Sequence, residues 1–295
     1  MNGTKLRLGL LFSRLRPEEK LLIRTARQHP EIELTLLNSR ELILSPATKP
    51  ELDLLLDREI SQSRALCTLR LLQHSGVVCV NRYEVVRICG DKLFTSKALR
   101  DAGVPTPEVK IAFNPESARA AIEELGYPVV LKPVDGSWGR LMAKIENRTA
   151  AEAILEHKSH LSSYYHSIFY LQKYLEKPGR DIRAFVIGAE VVGATYRMAD
   201  HWITNAAQGG RAARCPLTPQ LEALCLQAAR AVGGGALAID LMETPEGYTV
   251  HEINCAMEFK ESFKVLGAIL PTRLIDYCIE QARSPATTPT ATEVV

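Results

Sequence analysis

The sequence predicts an α/β domain followed by an α+β region, and three observations support this fold class. Short apolar runs alternate with helical stretches from Leu6 to about Asn81, which is typical of a sheet built from β-α-β units. From Asp91 onward, short strands are separated by turns and single helices. Apolar residues make up 46% of the 295 residues, which is sufficient for two or three subdomains that share a cleft.

The chain accordingly divides into four segments. The last of them is rich in threonine and proline and poor in large apolar groups, so we expect it to be a disordered tail. The segments are an amino-terminal α/β domain (residues 1–90), a small α+β lid (91–173), a carboxy-terminal subdomain (174–282) and the tail (283–295).

Composition excludes several classes of protein. The formal net charge is +2 without a long block of like charge, whereas a sequence-independent nucleic-acid binder needs a concentrated basic face. Seven cysteines are scattered without a C-x-x-C pair, which is a reduced, cytosolic pattern. The run Lys5–Phe12 is predicted as a strand, not a signal peptide, and no apolar run approaches the length of a membrane span. We therefore expect a cytoplasmic protein that binds neither nucleic acid nor a membrane.

One segment of the third region has the chemistry of a metal site. Thr244-Pro245-Glu246-Gly247 lies between two apolar runs and predicts the turn of a β-hairpin. If its last three residues form the loop, Asp240 lies opposite Glu252, and Asn254 shares a face with Glu252. Carboxylate and amide oxygens suit Mg²⁺ or Mn²⁺, and Mg²⁺ held by few protein groups completes its shell with phosphate and water. The alternative interpretation is a surface hairpin with solvated acids.

Two lysines and a glycine-bearing turn suggest that a phosphate group binds. Lys132 ends an apolar strand, where a lysine needs either an anion or a route to water. Lys92 follows Asp91, a good N-cap, and therefore lies in the first turn of a helix. A positive charge there interacts unfavourably with the helix dipole, at a cost of roughly 0.3 to 1 kcal/mol, so an anionic partner explains its placement. The turn leads into a strand and lacks the Walker pattern, but its backbone amides are suited to wrapping a triphosphate. It consists of Gly136, Ser137, Trp138, Gly139 and Arg140.

Taken in chain order, these pieces resemble the ATP-grasp ligases of the RimK type. The resemblance covers about Cys89 to Ala268 and implies an ATP-grasp fold preceded by an α/β pre-ATP-grasp domain. It rests on the ordered set Asp91-Lys92, Leu131-Lys132-Pro133, Gly136 to Arg140, Gln172 to Leu175, Asp181-Ile182-Arg183, Asp240 and Glu252-x-Asn254.

The resemblance implies ATP and two Mg²⁺ ions, with Mn²⁺ as an alternative metal, and a role for each matching residue. Lys92 and Lys132 contact nucleotide phosphates, and the turn from Gly136 to Arg140 closes over them. Glu252 bridges the two ions, which Asp240 and Asn254 also bind. The other nucleotide contacts implied are Lys173 and Tyr174, whose backbone reads adenine, together with Asp181, Arg183 and Asn205.

Longer matches narrow the resemblance to lysine-biosynthesis ligases of this family. These enzymes join α-aminoadipate to the carboxyl terminus of a small acidic amino-group carrier protein. The implied reaction forms an acyl phosphate from ATP and the carrier carboxylate, and the amine of the amino acid then displaces phosphate. The segments that carry this match are RPEEKLL, SQSRAL, NRYEVVRICGDK, LKPVDGSWGRLMAKI, EKPGRDIRAFV, HWITNAAQGG and MEFKES.

Both implied substrates are anionic, so we expect basic residues in the remaining part of the cleft. Arg197 and Arg211 end an apolar strand and a glycine run and are the first choices for carboxylate or acyl phosphate, since the guanidinium fork binds such groups bidentately. Arg197, Lys132 and Asn205 are the predicted catalytic residues. Further predicted substrate contacts are Arg64, Lys260, Glu261 and Ser262. Arg214 and Lys264 add to the positive charge of this half of the chain, and their alternative interpretation is that they are solvated surface residues. His251 is expected on the face of the hairpin opposite Glu252.

Glu261-Ser262 departs from the resembling sequences. The aminoadipate ligases tend to have asparagine with a small residue here, and their glutamate-specific sisters in arginine biosynthesis have glycine with phenylalanine. Ser262 favours α-aminoadipate. A glutamate-carrier ligase, another RimK-like glutamate ligase and a non-catalytic nucleotide-binding regulator remain open, and the family suggests a homodimer or homotetramer.

Overall fold

A computed structural model of the chain describes residues 5–47, 50–134, 141–160, 167–198, 201–202 and 211–284. The contacts divide the chain into two units, one formed by Met1–Val86 with Ala268–Val295 and the other by Arg87–Gly267. The last helix therefore belongs to the first unit, whereas the sequence grouped it with residues 174–282. That helix includes Arg283, and residues 285–295 of the expected tail lie outside the described residues.

The first unit is the α/β domain that the alternating pattern predicts. Its four parallel strands have the order β2-β1-β3-β4, and the short β3 is buried throughout because both faces of the sheet are covered. The last helix packs against α1. The elements are β1 (Leu6–Phe12), α1 (Pro17–Gln28), β2 (Ile32–Asn38), β3 (Leu54–Asp57), α2 (Gln62–His74), β4 (Val78–Val80), α3 (Tyr83–Cys89), which extends into the second unit, and α9 (Ile269–Arg283).

The second unit contains two sheets. The smaller has the order β5-β8-β6-β7 and is covered by two helices, whose apolar residues, such as Ile122 and Leu155, pack on Val129 and Leu171. Its elements are α4 (Lys92–Asp101), β5 (Val109–Ala112), α5 (Pro115–Leu125), β6 (Val129–Lys132), β7 (Ala143–Ile145), α6 (Arg148–Ser159) and β8 (Phe169–Lys173).

The larger sheet is antiparallel and has the order β11-β10-β9-β12-β13. A short helix packs on β10 and β11, and Gly193 permits the close approach, since an added Cβ would lie 3.0 Å from a methyl group of Leu266. The elements are β9 (Arg180–Ile187), β10 (Glu190–Met198), β11 (Arg211–Cys215), α7 (Pro219–Ala231), β12 (Ala236–Thr244), β13 (Gly247–Asn254) and α8 (Lys260–Leu266).

None of the helices in the described ranges has the length and apolar character needed to cross a membrane.

Candidate functional site

The predicted hairpin is formed by β12 and β13. Its strands are joined by a shorter loop than predicted, and a bulge restores the predicted pairing. Thr244 pairs with Gly247, so the loop has two residues and not three. The register then shifts at Asp240, which pairs with Glu252, while Leu241 pairs with Val250. His251 is thus the extra residue of a β-bulge. The bulge compensates for the shorter loop, and Asp240 lies opposite Glu252 as predicted.

Charged side chains from three strands share one face of the larger sheet. Residues directly opposite each other in an antiparallel pair project to the same side. Arg183 lies opposite both Asp240 and Thr195, and Arg197 lies opposite Asp181. The strand period of two places Asp181 and Arg183 on the same face of β9. The site is therefore built on a rigid sheet.

These charges form a largely buried network. Arg183 donates from Nε and Nη2 to the two carboxylate oxygens of Asp240, at 2.8 Å each. Arg197 donates to Asp181 at 2.6 and 2.9 Å, and its Nη2 lies 3.1 Å from Oδ2 of Asp240. Burial alone would raise the pKa of Asp240, but the two arginines outweigh it and hold the pKa well below its usual range. Asp240 is therefore an ionised carboxylate in the protein interior.

The three predicted metal ligands converge, and their donor set fits a hard cation. Asn254 Nδ2 lies 3.5 Å from Asp240 Oδ2, and the Glu252 side chain is 31% exposed, with Oε1 3.7 Å from Lys92 Nζ. Within the described ranges, no cluster of three or more His, Cys, Asp and Glu side chains is arranged to hold a metal. The set formed by Asp240, Glu252 and Asn254 consists of two carboxylates and one amide. Oδ1 of Asp240 accepts only the Arg183 Nε bond among the described contacts, which leaves one lone pair for coordination.

Lys132 is buried beside this metal-ligand set. It is only 3% exposed, and Nζ donates to Gln172 Oε1 at 2.6 Å and lies 3.0 Å from His251 Nε2. Burial lowers the pKa of Lys132 to about 7, against the opposing attraction of Glu252. Within the described part of the chain, Gln172 Nε2 and His251 Nδ1 are buried without hydrogen-bond partners. A buried amine next to unsatisfied polar atoms has the character of an anion-binding site that is completed by a ligand.

Folding stability should depend on pH through Lys132. Its pKa is about 7 in the folded chain against 10.5 for the ordinary side chain, so the unfolded state binds more protons between these values. Stability therefore rises with pH across this window, by at most about 1.4 kcal/mol per pH unit for one proton. Urea unfolding of wild type and Lys132→Met across the window measures the difference. Lys97→Met, at an exposed lysine on α4, should keep the wild-type slope, and parallel curves for all three proteins would contradict the assignment.

The first predicted phosphate lysine lies at the start of α4. Asp91 caps the helix as expected, accepting bonds from the N–H groups of Leu93 at 2.8 Å and Phe94 at 3.2 Å. The N–H of Lys92 donates to Val134 O at 3.0 Å, which ties the start of the helix to the end of β6. Lys92 is thereby held next to Glu252.

Two functional candidates escaped the sequence analysis. Lys177, in the loop before β9, has a side chain only 7% exposed, and its Nζ lies 3.8 Å from Asp181 Oδ2. Burial lowers the pKa of Lys177 as well, against the attraction of Asp181. Nothing in its Lys-Pro-Gly context distinguishes it from a surface lysine. The prediction that His251 points away from the site was wrong, because strict alternation fails at a bulge and the ring contacts Lys132.

The backbone at the predicted adenine segment is partly engaged. The N–H of Lys173 donates to Glu108 O at 2.9 Å, and the N–H of Tyr174 donates to Pro128 O at 3.1 Å. The Tyr174 ring lies 4.3 Å from Lys144 Nζ. Neither of these two N–H groups is therefore directed outward to a base.

The two arginines of β11 lie on opposite faces of the sheet. Arg211, a first choice for substrate, lies opposite Met198 and therefore projects away from the face that bears Arg197. Arg214 lies opposite Thr195 and shares the face of the charged network. The register therefore favours Arg214 over Arg211 as a substrate contact from this strand.

Helix α8 carries the residues predicted to select the amino acid, and they are already engaged. Ser262 is buried, and its hydroxyl hydrogen bonds to Thr195 Oγ1 at 2.9 Å. Glu261 lies 2.5 Å from Lys264 Nζ and 3.8 Å from Lys260 Nζ. Ser262 therefore anchors α8 to the sheet, and any influence on the substrate acts through the position of the helix.

Arg64 lies in the first unit at the start of α2. It donates to Oε1 of Glu59 at 2.9 Å and is about half exposed. Glu59 also accepts bonds from the hydroxyls of Ser13 and Ser39 and from the N–H of Ser61. The Glu59 carboxylate therefore holds Nη2 of Arg64, while about half of the Arg64 side chain remains exposed at the surface.

The remaining predicted site residues lie outside the described residues. They are Gly136, Ser137, Trp138, Gly139, Arg140 and Asn205.

Comparisons with known proteins give matches over most of the chain. A model of the RimK-like ATP-grasp domain matches residues 89–278, and a model of the LysX preATP-grasp domain matches residues 8–88. The chain is 38% identical over 215 residues to the alpha-aminoadipate–LysW ligase LysX of Saccharolobus solfataricus, covering 72% of this chain and 78% of the relative. It is 30% identical over 279 residues to the glutamate–LysW ligase ArgX of Sulfurisphaera tokodaii, covering 93% and 99%.

A solved structure shows the same fold. The crystal structure of a RimK domain ATP-grasp protein from Sphaerobacter thermophilus superimposes with a TM-score of 0.76 at 30% identity, covering 92% of this chain and 99% of that one.

Proposed function

Because this chain belongs to the RimK-like ATP-grasp family, we propose that it is an ATP-dependent carboxylate–amine ligase that joins α-aminoadipate to a small acidic amino-group carrier protein. The bond formed links the amino group of α-aminoadipate to the C-terminal glutamate carboxylate of the carrier. One observation carries the proposal: Lys132 lies buried beside the face that bears Asp240, Glu252 and Asn254. This arrangement supports a magnesium-nucleotide site.

The side chains of this face divide between metal and nucleotide. Asp240, Glu252 and Asn254 would hold Mg²⁺, of which we expect two ions, with Mn²⁺ as a substitute. When bound, the metal neutralises negative charge on the transferred phosphoryl group. The proposed nucleotide contacts are Lys92, Lys132, Gly136, Ser137, Trp138, Gly139, Arg140, Asp181, Arg183 and Asn205, together with Lys173 and Tyr174 through backbone groups other than their N–H.

The contacts refine the roles of two members of this set. Arg183 donates to both oxygens of Asp240, and Asp181 accepts hydrogen bonds from Nε and Nη2 of Arg197. We assign Arg183 to hold the Asp240 carboxylate in place and Asp181 to hold Arg197. Nη1 of Arg197 makes no hydrogen bond within the described ranges, so it is the atom we assign to a substrate carboxylate or acyl phosphate.

The proposed reaction has two steps. A carboxylate oxygen of the carrier attacks the γ-phosphorus of ATP, the bond to the ADP oxygen breaks, and an acyl phosphate forms. The neutral amine of the amino acid then attacks the acyl carbon, the carbon–oxygen bond to phosphate breaks, and an amide bond forms as phosphate leaves and the nitrogen loses one proton to solvent. Lysine and arginine charges stabilise both steps by electrostatics, and no side-chain nucleophile is required.

The choice of amino acid rests on similarity and not on a single contact. Three alpha-aminoadipate–LysW ligases are 33 to 38% identical to this chain, against 30% for two glutamate–LysW ligases. The two substrates differ by one methylene, which a pocket distinguishes by about 1 to 3 kcal/mol. Glutamate transfer is therefore the second candidate. Arg64, Arg197, Arg214, Lys260 and Glu261 are the substrate contacts we propose, and we expect a homo-oligomer that binds the carrier.

The test is one intact-mass assay. Purified full-length chain, ATP, Mg²⁺ and a small acidic carrier ending in glutamate are incubated with α-aminoadipate, glutamate or neither. We expect the carrier mass to increase by one aminoadipate residue, at a rate at least about tenfold above that with glutamate. A faster reaction with glutamate would reassign the substrate. ATP binding without any mass increase would reject the ligase proposal in favour of a nucleotide-binding regulator.

A further inference from the structure

His251 contacts the buried amine of the candidate site because of a local irregularity in β13. In a regular strand, alternation would direct its side chain away from Glu252. The bulge supplies one extra residue, and bulges next to functional sites commonly re-aim a side chain. The result is a contact of 3.0 Å between His251 Nε2 and Lys132 Nζ, across 119 residues of sequence.

Lys132 is held from two sides. An ammonium group has three N–H donors. One donates to Gln172 Oε1 at 2.6 Å, and the acceptor for a second is His251 Nε2. Two fixed bonds determine the rotation of the ammonium group about its Cε–Nζ bond, so the direction of the third N–H is also determined. A lysine held in this way loses less conformational entropy when it binds an anion.

We propose that His251 is a positioning residue, which together with Gln172 orients the Lys132 ammonium so that its remaining N–H binds a phosphate oxygen of ATP. The inference rests on the proposed function, because it requires a nucleotide in this site. His251 itself does not touch the phosphate, and it acts through Lys132.

The contact also determines the tautomer of the ring. When Lys132 is protonated, its ammonium group can only donate, so Nε2 accepts the bond and the proton of the neutral imidazole lies on Nδ1. Nδ1 is buried, and within the described ranges it has no hydrogen-bond partner. Nitrogen-15 NMR of the histidine side chains should therefore show one ring protonated at Nδ1, and its signal should disappear in the His251→Leu protein.

Binding of a non-hydrolysable ATP analogue with Mg²⁺ tests the inference without turnover. His251→Leu removes the acceptor, and His251→Gln keeps an acceptor oxygen near the position of Nε2. We expect the Kd of the analogue to increase about tenfold in the leucine variant and less than threefold in the glutamine variant. His157→Leu, at an exposed histidine on α6, is the matched control and should leave the Kd unchanged.

A double-mutant cycle separates positioning from a general structural role. In a Lys132→Met background, His251→Leu should have no further effect on the Kd, because the residue through which it acts is absent. A second tenfold loss in that background would overturn the inference, as would wild-type affinity in His251→Leu. If the wild-type protein does not bind the analogue, the proposed function itself is rejected. Failure of the inference alone is distinguishable, because the wild-type protein then binds the analogue and His251→Leu does not change the Kd in the expected way.

Discussion

Replacing Glu252 with glutamine is expected to lower turnover by about a thousandfold while leaving the fold intact. The change removes one of two carboxylates that we assign to Mg²⁺, and neutralising the transferred phosphoryl group is worth several kcal/mol. Glu252 is partly exposed, and its ion pair with Lys92 spans 3.7 Å, so losing that pair costs at most about 1 kcal/mol of stability. Catalysis and stability should therefore respond to the same change by very different amounts.

The measurement pairs the intact-mass assay under saturating ATP with thermal unfolding. Glu246→Gln is the matched control, because it makes the same chemical change at an exposed position in the loop of the same hairpin. The control should retain wild-type turnover. Retained turnover in Glu252→Gln would remove this residue from the metal site, and a large loss of thermal stability would show that its role is structural.

Replacing Asp240 with asparagine is expected to destabilise the protein by about 3 to 5 kcal/mol, in addition to abolishing turnover. Asp240 is buried, and both Arg183 and Arg197 depend on its charge. Removing one partner of a buried ion pair leaves uncompensated charge in the interior, which costs far more than loss of an exposed pair. Urea unfolding at neutral pH measures the difference. Asp101→Asn, which breaks the exposed pair with Lys97 on α4, should change stability by less than about 1 kcal/mol.

The same carboxylate predicts a dependence of stability on acid. The pKa of Asp240 is lowered on folding, because the two arginines outweigh the effect of burial. The stability that it contributes is therefore fully present above the ordinary carboxyl pKa and is lost as the pH falls toward the lower pKa of the folded state. Asp240→Asn lacks this contribution, so its stability should fall less steeply below about pH 4. Equal slopes for the two proteins would show that Asp240 is not held ionised by the arginines.

The hairpin shows how much of the site the sequence could predict. Proline and glycine between two apolar runs predict the turn, and a period of two predicts which residues share a face, because both are local properties of the chain. The pairing of Asp240 with Glu252 was confirmed, although the loop is one residue shorter than predicted. The bulge at His251 compensates for that difference, and the His251 ring contacts Lys132, 119 residues away, which no local pattern encodes.

The substrate half of the site was predicted less completely. Charge and strand position suggested both Arg197 and Arg211, but only the first lies on the charged face. Which face each residue of β11 occupies depends on its register with β10, and nothing in the sequence between Met198 and Arg211 determines that register. Ser262 was predicted as a substrate contact on the basis of resemblance, and the structure shows its hydroxyl bonded to Thr195.

By itself, the sequence determined the fold class, the family and the chain order of the residues proposed to bind phosphate and metal, because turn chemistry, periodicity and motif order are properties of the linear sequence. Only the tertiary structure decided which charges are paired. Asp240 and Arg183 are 57 residues apart, and Lys132 and His251 are 119 apart. Burial sets the pKa of Lys132 and makes Asp240 dependent on two arginines. Burial and strand register arise from packing between distant segments, so these properties are absent from any local stretch of sequence.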